Sequence, residues 1–256
     1  MEIMEYGFGR AYVYIVSFIF GTVFGSFCNA FAWRIVHGEN IAKGRSHCAV
    51  CGHELSAKDL IPVISWLSLK GRCRYCGEKI SKRYIITELV SGVCFMTIVM
   101  ANGLSVTAAR LLILACILLT ASLVDLDIME LPNGLMAAAA AVSLLRLLEG
   151  DTVADMALGL IPAAVLLIIV LIMDKIMKKE TMGGGDIKLM GALGLNFGAA
   201  GAVFILIASC FIGLIAAYAG GKGKGKAFPF GPMLSAGAWL CAVCGERLIN
   251  WYFSLF

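Results

Sequence analysis

Long apolar runs separated by short polar joints dominate the chain. Continuous apolar stretches cover about residues 11–33, 85–100, 108–124, 154–173, 189–218 and 228–244, with a further one ending near Leu148. Each is close to the ~20 residues that a bilayer core requires. The runs are continuous rather than alternating, which favours helices over a closed β-barrel. The run from Leu189 to Tyr218 is too long for one crossing, and Gly194, Asn196 and Gly198 interrupt it. It is read as two passes, a short one to about Phe197 and another from about Ala200. The pattern predicts an all-α polytopic membrane protein with about eight transmembrane helices.

Composition agrees. The 256 residues are 60% hydrophobic and 15% charged, against about half and a quarter in soluble domains. Charge then sets the expected topology. In the polar segment from Arg34 to about Thr87, lysines and arginines outnumber Glu39, Glu54, Asp59 and Glu78. Positive loops stay on the cytoplasmic side, so this segment is expected inside and the N-terminus outside. The first apolar run follows Glu2 and Glu5 rather than a basic region, so it reads as a retained helix and not a cleaved signal. Two passes in 189–218 leave Lys222, Lys224 and Lys226 inside, as the same rule prefers. The modest net charge of +4 is absorbed by topology, and nucleic-acid binding is not expected.

The polar segment contains His47-Cys48-Ala49-Val50-Cys51-Gly52-His53 and Gly71-Arg72-Cys73-Arg74-Tyr75-Cys76-Gly77. Two C-x2-C turns about twenty residues apart present four thiolates to one point, the pattern of a tetrahedral zinc site. Cys48, Cys51, Cys73 and Cys76 are therefore the expected ligands of a closed, structural Zn2+. Disulfides are disfavoured in a reduced, cytoplasmic loop. Cys241 and Cys244 repeat the spacing inside an apolar run with no polar support, and read as helix packing. Gly21, Gly25, Ser26 and Asn29 lie at helical spacing in the first run and read as a packing face, with Asn29 either a buried hydrogen-bonding group or the lining of a polar site.

Carboxylates stand where positive charge would be expected. Asp125, Asp127 and Glu130 follow the third run, and Asp186 follows Gly183, Gly184 and Gly185 at the edge of another. Three consecutive glycines predict backbone conformations closed to other residues. The predicted topology puts Asp125 and Asp186 on one membrane face. Two readings fit. Asp186 is either a helix cap or an intramembrane functional group, and Asp125 and Asp127 are either a solvated helix end or half of a catalytic pair. Two facing carboxylates can share a proton, one acting as base for water and the other as acid toward a carbonyl.

Six pieces occur in order: Gly25-Ser26-Phe27-Cys28-Asn29, the two knuckles around Asp59-Leu60-Ile61-Pro62, Ile80-Ser81-Lys82-Arg83-Tyr84 with Glu88, Asp125-Leu126-Asp127 with Leu131-Pro132, Gly183-Gly184-Gly185-Asp186-Ile187-Lys188-Leu189, and Pro229-Phe230-Gly231-Pro232. Over almost its whole length the chain resembles the bacterial type IV prepilin peptidases, of the GxGD membrane aspartyl protease group. The resemblance implies a bacterial inner-membrane enzyme of type IV pilus and type II secretion systems. It would cleave the basic leader of prepilins and pseudopilins after a Gly on the cytoplasmic face. It implies Asp125 and Asp186 as the catalytic pair, with Asp127 the rival to Asp125. Gly183, Gly184 and Gly185 support Asp186, and Lys188 is a nearby charge biasing it toward ionisation. It also implies N-methylation of the new terminus with S-adenosylmethionine, linked to the zinc-bearing region. The chain then divides into a first helix (1–33), a zinc loop (34–87) and a membrane peptidase part (88–256). Asn133 stands where the family usually has Asp. Asp127 and Glu130 offer negative charge to a basic leader, while the pilin helix stays in the bilayer. The competing expectations are a peptidase without methyl transfer, and a zinc-stabilised assembly factor or transporter.

Overall fold

The structure is a computed structural model and describes residues 7–40, 44–219 and 228–255. Glu2, Glu5 and the lysines at 222, 224 and 226, which carried part of the topology reading, lie outside the described residues. Among the described residues the regular elements are all helical. Among the described residues five helices are long and apolar enough to cross a membrane: Gly9–His37, Lys82–Asn102, Val106–Ile128, Val153–Met177 and Gly184–Tyr218. The chain is a polytopic helical membrane protein. It forms two compact units, Met1–Met100 and Ala101–Phe256.

In the first unit, α1 (Gly7–His37) packs on α3 (Lys82–Asn102), and the short α2 (Ile64–Ser68) lies in the intervening polar segment. Glycines allow the two long helices to touch. A Cβ at Gly21 would lie 2.6 Å from the Ser91 carbonyl oxygen, and one at Gly25 would lie 2.8 Å from Ser91 Cβ. Phe24 and Phe95 stack beside this contact, centroids 5.6 Å apart. Lipid offers no hydrophobic drive between helices, so close backbone approach supplies the attraction. The outward face of α1 keeps Ile15, Ile19, Phe20 and Phe27 exposed.

The second unit contains α4 (Val106–Ile128), α5 (Asn133–Val142), α6 (Val153–Leu158), α7 (Ile161–Met177), α8 (Gly184–Ala219), α9 (Gly231–Leu240) and α10 (Glu246–Phe253). A 3-10 turn, Ser143–Glu149, extends α5, and a π turn, Cys241–Gly245, joins α9 to α10. The long α8 is interrupted at Gly198, where φ is 71° and ψ 179°, backbone that side chains forbid. The contacts of its two arms show that the chain reverses there. Asp186 lies by the C-terminal end of α4, while Asn196 receives a bond from Arg110 near its N-terminal end. Beyond the break, Gly201 meets Cys241, and Gly213 meets Phe230 and Met233. Gly231 returns to Asp125, and Asn102 bonds Ala242. The two arms of α8 therefore run antiparallel, and the second lies along α9.

The reversal exposes helix-end carbonyls, and two arginines meet them. Arg110 donates to the Asn196 carbonyl (2.9 Å) and Arg146 to the Leu195 carbonyl (2.8 Å). Both are compensated, Arg110 by Glu149 (2.6 Å) and Arg146 by Asp151 (2.7 Å). Cations at a helix C-terminus satisfy its orphan acceptors and its dipole. Asn196 adds a bond from its amide to the Ala139 carbonyl (2.8 Å). The core beneath is filled by Leu189, Met190, Leu193, Ala202, Ile205 and Leu234, all fully buried. At Gly159 and Gly194 the backbones nearly touch, since a Cβ on either would fall within about 2 Å of the other's carbonyl oxygen.

Candidate active site and metal centre

Asp125 and Asp186 are not loop residues. Asp125 occupies the last turn of α4, and only 5% of its surface is exposed. Its carbonyl accepts the N–H of Met129 (2.9 Å), whose left-handed conformation (φ 55°) ends the helix. The chain leaves through Leu131-Pro132 into α5. Asp186 is the third residue of α8, half-buried, with its own N–H bonded to the Gly183 carbonyl (3.1 Å). Its position inside the first turn removes the cap reading. The two carboxylates are near enough for their charges to interact.

A third element closes the site. The backbone N–H of Gly231, the first residue of α9, donates to Asp125 Oδ2 (2.9 Å). That N–H belongs to the unpaired first turn of a helix, which attracts negative charge. Leu131 joins the three parts. A Cβ at Gly185 would lie 3.0 Å from Leu131 Cβ, and one at Gly231 would lie 3.3 Å from Leu131 Cδ2. The same Gly231 Cβ would stand 2.8 Å from Asp125 Oδ2. Gly231→Ala is therefore expected to push Asp125 off its donor and lower the site's activity at least about tenfold, with normal membrane accumulation, since a 1 Å misplacement of a reacting group is already costly. Activity equal to wild type would show that the bond to Gly231 is dispensable.

The triple glycine works differently from its expected role. None of Gly183, Gly184 and Gly185 has positive φ. What Gly185 supplies is the absent side chain, which lets Leu131 come close. Gly183 leaves room for Asp186 Oδ2, 3.4 Å from where its Cβ would be, and Gly184 meets nothing within 4 Å. Lys188 is exposed, and its ammonium donates to Asn133 Oδ1 (2.8 Å). Asn133→Asp would turn this bond into an exposed ion pair. It is expected to change stability by no more than about 1 kcal/mol, read as a small shift in Tm with unaltered activity. Asp127 and Glu130 are exposed beside the site.

The four cysteines of the first unit converge. The sulfurs of Cys48, Cys51, Cys73 and Cys76 all lie within 4.8 Å of one another, and none is in a disulfide. Cys48 and Cys76 sulfurs are 3.9 Å apart. Zinc–thiolate bonds of ~2.3 Å in a tetrahedron require sulfurs about 3.8 Å apart, so the set fits Zn2+. The two knuckles are built alike. Gly52 N–H bonds the Cys48 carbonyl (2.9 Å) and Cys48 N–H the His53 carbonyl (3.0 Å); Gly77 N–H bonds the Cys73 carbonyl (3.0 Å) and Cys73 N–H the Glu78 carbonyl (2.8 Å). Gly52 (φ 69°) and Gly77 (φ 74°) take the left-handed turn. The backbone N–H groups of Cys51 and then Val50 pull the Cys48 thiol down to about 6, which favours the metal-binding thiolate at neutral pH.

Asp59 braces the second knuckle. Its carboxylate accepts from the Ser56 hydroxyl (2.7 Å), from Arg74 Nε (2.7 Å) and from the Tyr75 hydroxyl (3.1 Å). Arg74 and Tyr75 are the two residues between Cys73 and Cys76. The Ser56 hydroxyl, followed by the Arg74 guanidinium, holds the Asp59 carboxyl well below the usual carboxylate range.

Sequence reasoning placed Gly231 and Leu131 in motifs without assigning them contacts. It did not single out Arg110 or Arg146, whose only local signal is a cation within an apolar stretch.

Two family descriptions match successive parts of the chain: "Bacterial Peptidase A24 N-terminal domain" over residues 19–102 and "Type IV leader peptidase family" over residues 112–218. The chain is 37% identical over 251 residues to an Escherichia coli O78:H11 protein named type 4 prepilin-like proteins leader peptide-processing enzyme, covering 87% of this chain and 91% of that one. It is 32% identical to the prepilin leader peptidase/N-methyltransferase of Neisseria gonorrhoeae (83% of this chain, 77% of that one). It is 29% identical to the protein of the same name in Bacillus subtilis (94% and 98%). No solved structure matches the chain.

Proposed function

The chain belongs to the type IV leader peptidase family, and from that membership we propose an integral membrane aspartic endopeptidase that removes the basic leader of type IV prepilins and pseudopilins after a glycine and then N-methylates the new terminus. The observation that carries the peptidase reading is the convergence of Asp125 and Asp186 from two helix ends, with Gly231 N–H on Asp125. One carboxylate takes a proton from water as the oxygen attacks the scissile carbonyl carbon. The other donates to the carbonyl oxygen, and the leaving amine receives a proton as the C–N bond breaks. Both steps belong to the pair, which shares its protons.

Placement suits the substrate. The pair sits at the ends of apolar helices, so a pilin's apolar segment stays in the bilayer while its leader extends past the edge. Asp127 and Glu130 lie exposed there and attract a basic leader. We place the zinc loop and both aspartates at the cytoplasmic face of the inner membrane, following the positive excess of residues 34–87. Cys48, Cys51, Cys73 and Cys76 would hold Zn2+ in a closed site with no open position, so the metal organises the loop and does no chemistry. S-adenosylmethionine, when bound, would supply an electrophilic methyl carbon for the amine exposed by cleavage, with S-adenosylhomocysteine as the leaving group and loss of one amine proton.

The test is co-expression with a prepilin. Cleavage is read as a mobility shift, and methylation as a labelled methyl group in the mature pilin. Both signals are expected. Prepilin that stays full-length would overturn the peptidase assignment, and cleaved pilin without label would remove the methyltransferase half.

A further inference from the structure

We propose that a cavity inside the first unit, walled by α1, α3 and the cysteine module, is the binding site of the methyl donor S-adenosylmethionine. This rests on the methyltransferase half of the function proposed above. The cavity has a volume of about 340 Å³, within the ~300–1,000 Å³ typical of small-molecule sites.

Its position follows from the helix contact. Where Gly21 and Gly25 meet Ser91 and Gly92, the two helices leave no room. One turn further along, the facing positions carry side chains. On α1 these are Ser26, Ala30, Trp33 and Arg34, spaced as one helical face, and on α3 they are Tyr84 and Glu88. The cysteine module supplies the remaining wall.

The lining suits this ligand in kind. The donor combines a flat adenine, a ribose diol, a sulfonium cation and an amino-acid zwitterion. Trp33 and Trp66 offer aromatic surface, Glu39 and Glu88 offer carboxylates for the diol and the cation, and Arg34 offers a guanidinium for the ligand's carboxylate. Trp33 is held as a panel by His37, stacked at 4.1 Å, and by the edge of His47 at 5.5 Å. Glu88 is buried and fixed: its Oε2 accepts the Val63 N–H (2.7 Å). Val63 in turn is held at φ 62°, a strained conformation for a β-branched residue.

Trp66 contributes part of the wall from the cysteine module. The indole N–H of Trp66 is buried without a partner, although buried donors are nearly always satisfied. Trp66 lines the cavity, and its ring is packed on Gly71, whose Cβ would fall 2.7 Å from Trp66 Cζ2.

The test uses the purified full-length chain in detergent and S-adenosylhomocysteine as the probe, with titration calorimetry for affinity and ultraviolet cross-linking of labelled S-adenosylmethionine for location. Wild type is expected to bind, with label in peptides containing Trp33 or Trp66. Trp66→Phe, which removes part of the aromatic wall together with its N–H, is expected to weaken binding about tenfold. Ala30→Trp, which fills the cavity, is expected to abolish binding and cross-linking while zinc content and leader cleavage persist. If Ala30→Trp loses zinc, Trp66→Phe decides. Wild-type affinity in the deciding variant, or cross-links confined to 101–256, would overturn the cavity assignment while methylation stands. Cleavage by wild type with neither binding nor methylation would instead overturn the methyltransferase reading, and this site with it.

Discussion

Asp125→Ala and Asp186→Ala are each expected to lower prepilin cleavage by at least about a hundredfold, the usual worth of a positioned acid or base. Both proteins should accumulate in the membrane, because each change removes a carboxylate without opening a large core void. The double variant should be no worse than either single one, since groups acting as a unit are not additive. Asp125→Asn should fail as completely as Asp125→Ala, because it keeps the shape and the Gly231 contact but cannot carry a proton. Asp127→Ala is the informative control. Asp127 is exposed while Asp125 is buried against α9, so its loss should cost little with an uncharged leader and more with a strongly basic one. Co-expressed prepilin, followed by mobility shift, reads all five variants. Robust cleavage by Asp125→Ala together with none by Asp127→Ala would reverse the pairing.

The second large effect is expected at the cysteines. Cys73→Ser replaces the buried cysteine of the four-thiol cluster, 6% exposed, and is expected to cut the zinc content measured for wild type to almost none. A closed zinc site contributes roughly 10 kcal/mol or more to the fold of a small module, so the loop between α1 and α3 should lose its order. Methyl incorporation is then expected to fall below about a tenth of wild type, with a smaller loss of cleavage, because the aspartates lie in the other compact unit. Metal analysis and labelled methyl transfer on the same preparations check it. Retained zinc in Cys73→Ser would mean that this cysteine is not a ligand, and equal losses of cleavage and methylation would mean that the two units do not act separately.

The residues that the structure gathers into the two candidate sites were largely legible in the sequence because their spacing is local. Two C-x2-C-G turns announce converging thiolates, and carboxylates at the ends of apolar runs are costly enough to stand out. The break in residues 189–218 was visible too, since Gly194, Asn196 and Gly198 cluster there. What could not be read is how distant segments meet. The bond from Gly231 to Asp125 crosses more than a hundred residues, and no periodicity encodes it. Leu131 looks like any apolar residue until Gly185 and Gly231 are seen against it. Lys188, read as a neighbour of Asp186, delivers its ammonium to Asn133, the position that departs from the family pattern. The glycines before Asp186 suggested unusual backbone angles, whereas the structure uses one of them for clearance. The structure puts the break at Gly198, where α8 leaves helical geometry and its contacts fold it back.

The arginine that closes that fold-back also sets a lever. Arg110 ties the far end of α4 to Asn196 at the far end of the first α8 arm, and the aspartates stand at the opposite tips. Fifteen residues of α4 separate Arg110 from Asp125, about 22 Å of rigid rod. A tilt of about 3° about the tied end moves a tip by about 1 Å, a displacement that costs a catalytic group roughly a hundredfold in rate. The spacing of the two carboxylates is thus gauged at the other end of the helix pair, like the points of a compass set at its pivot.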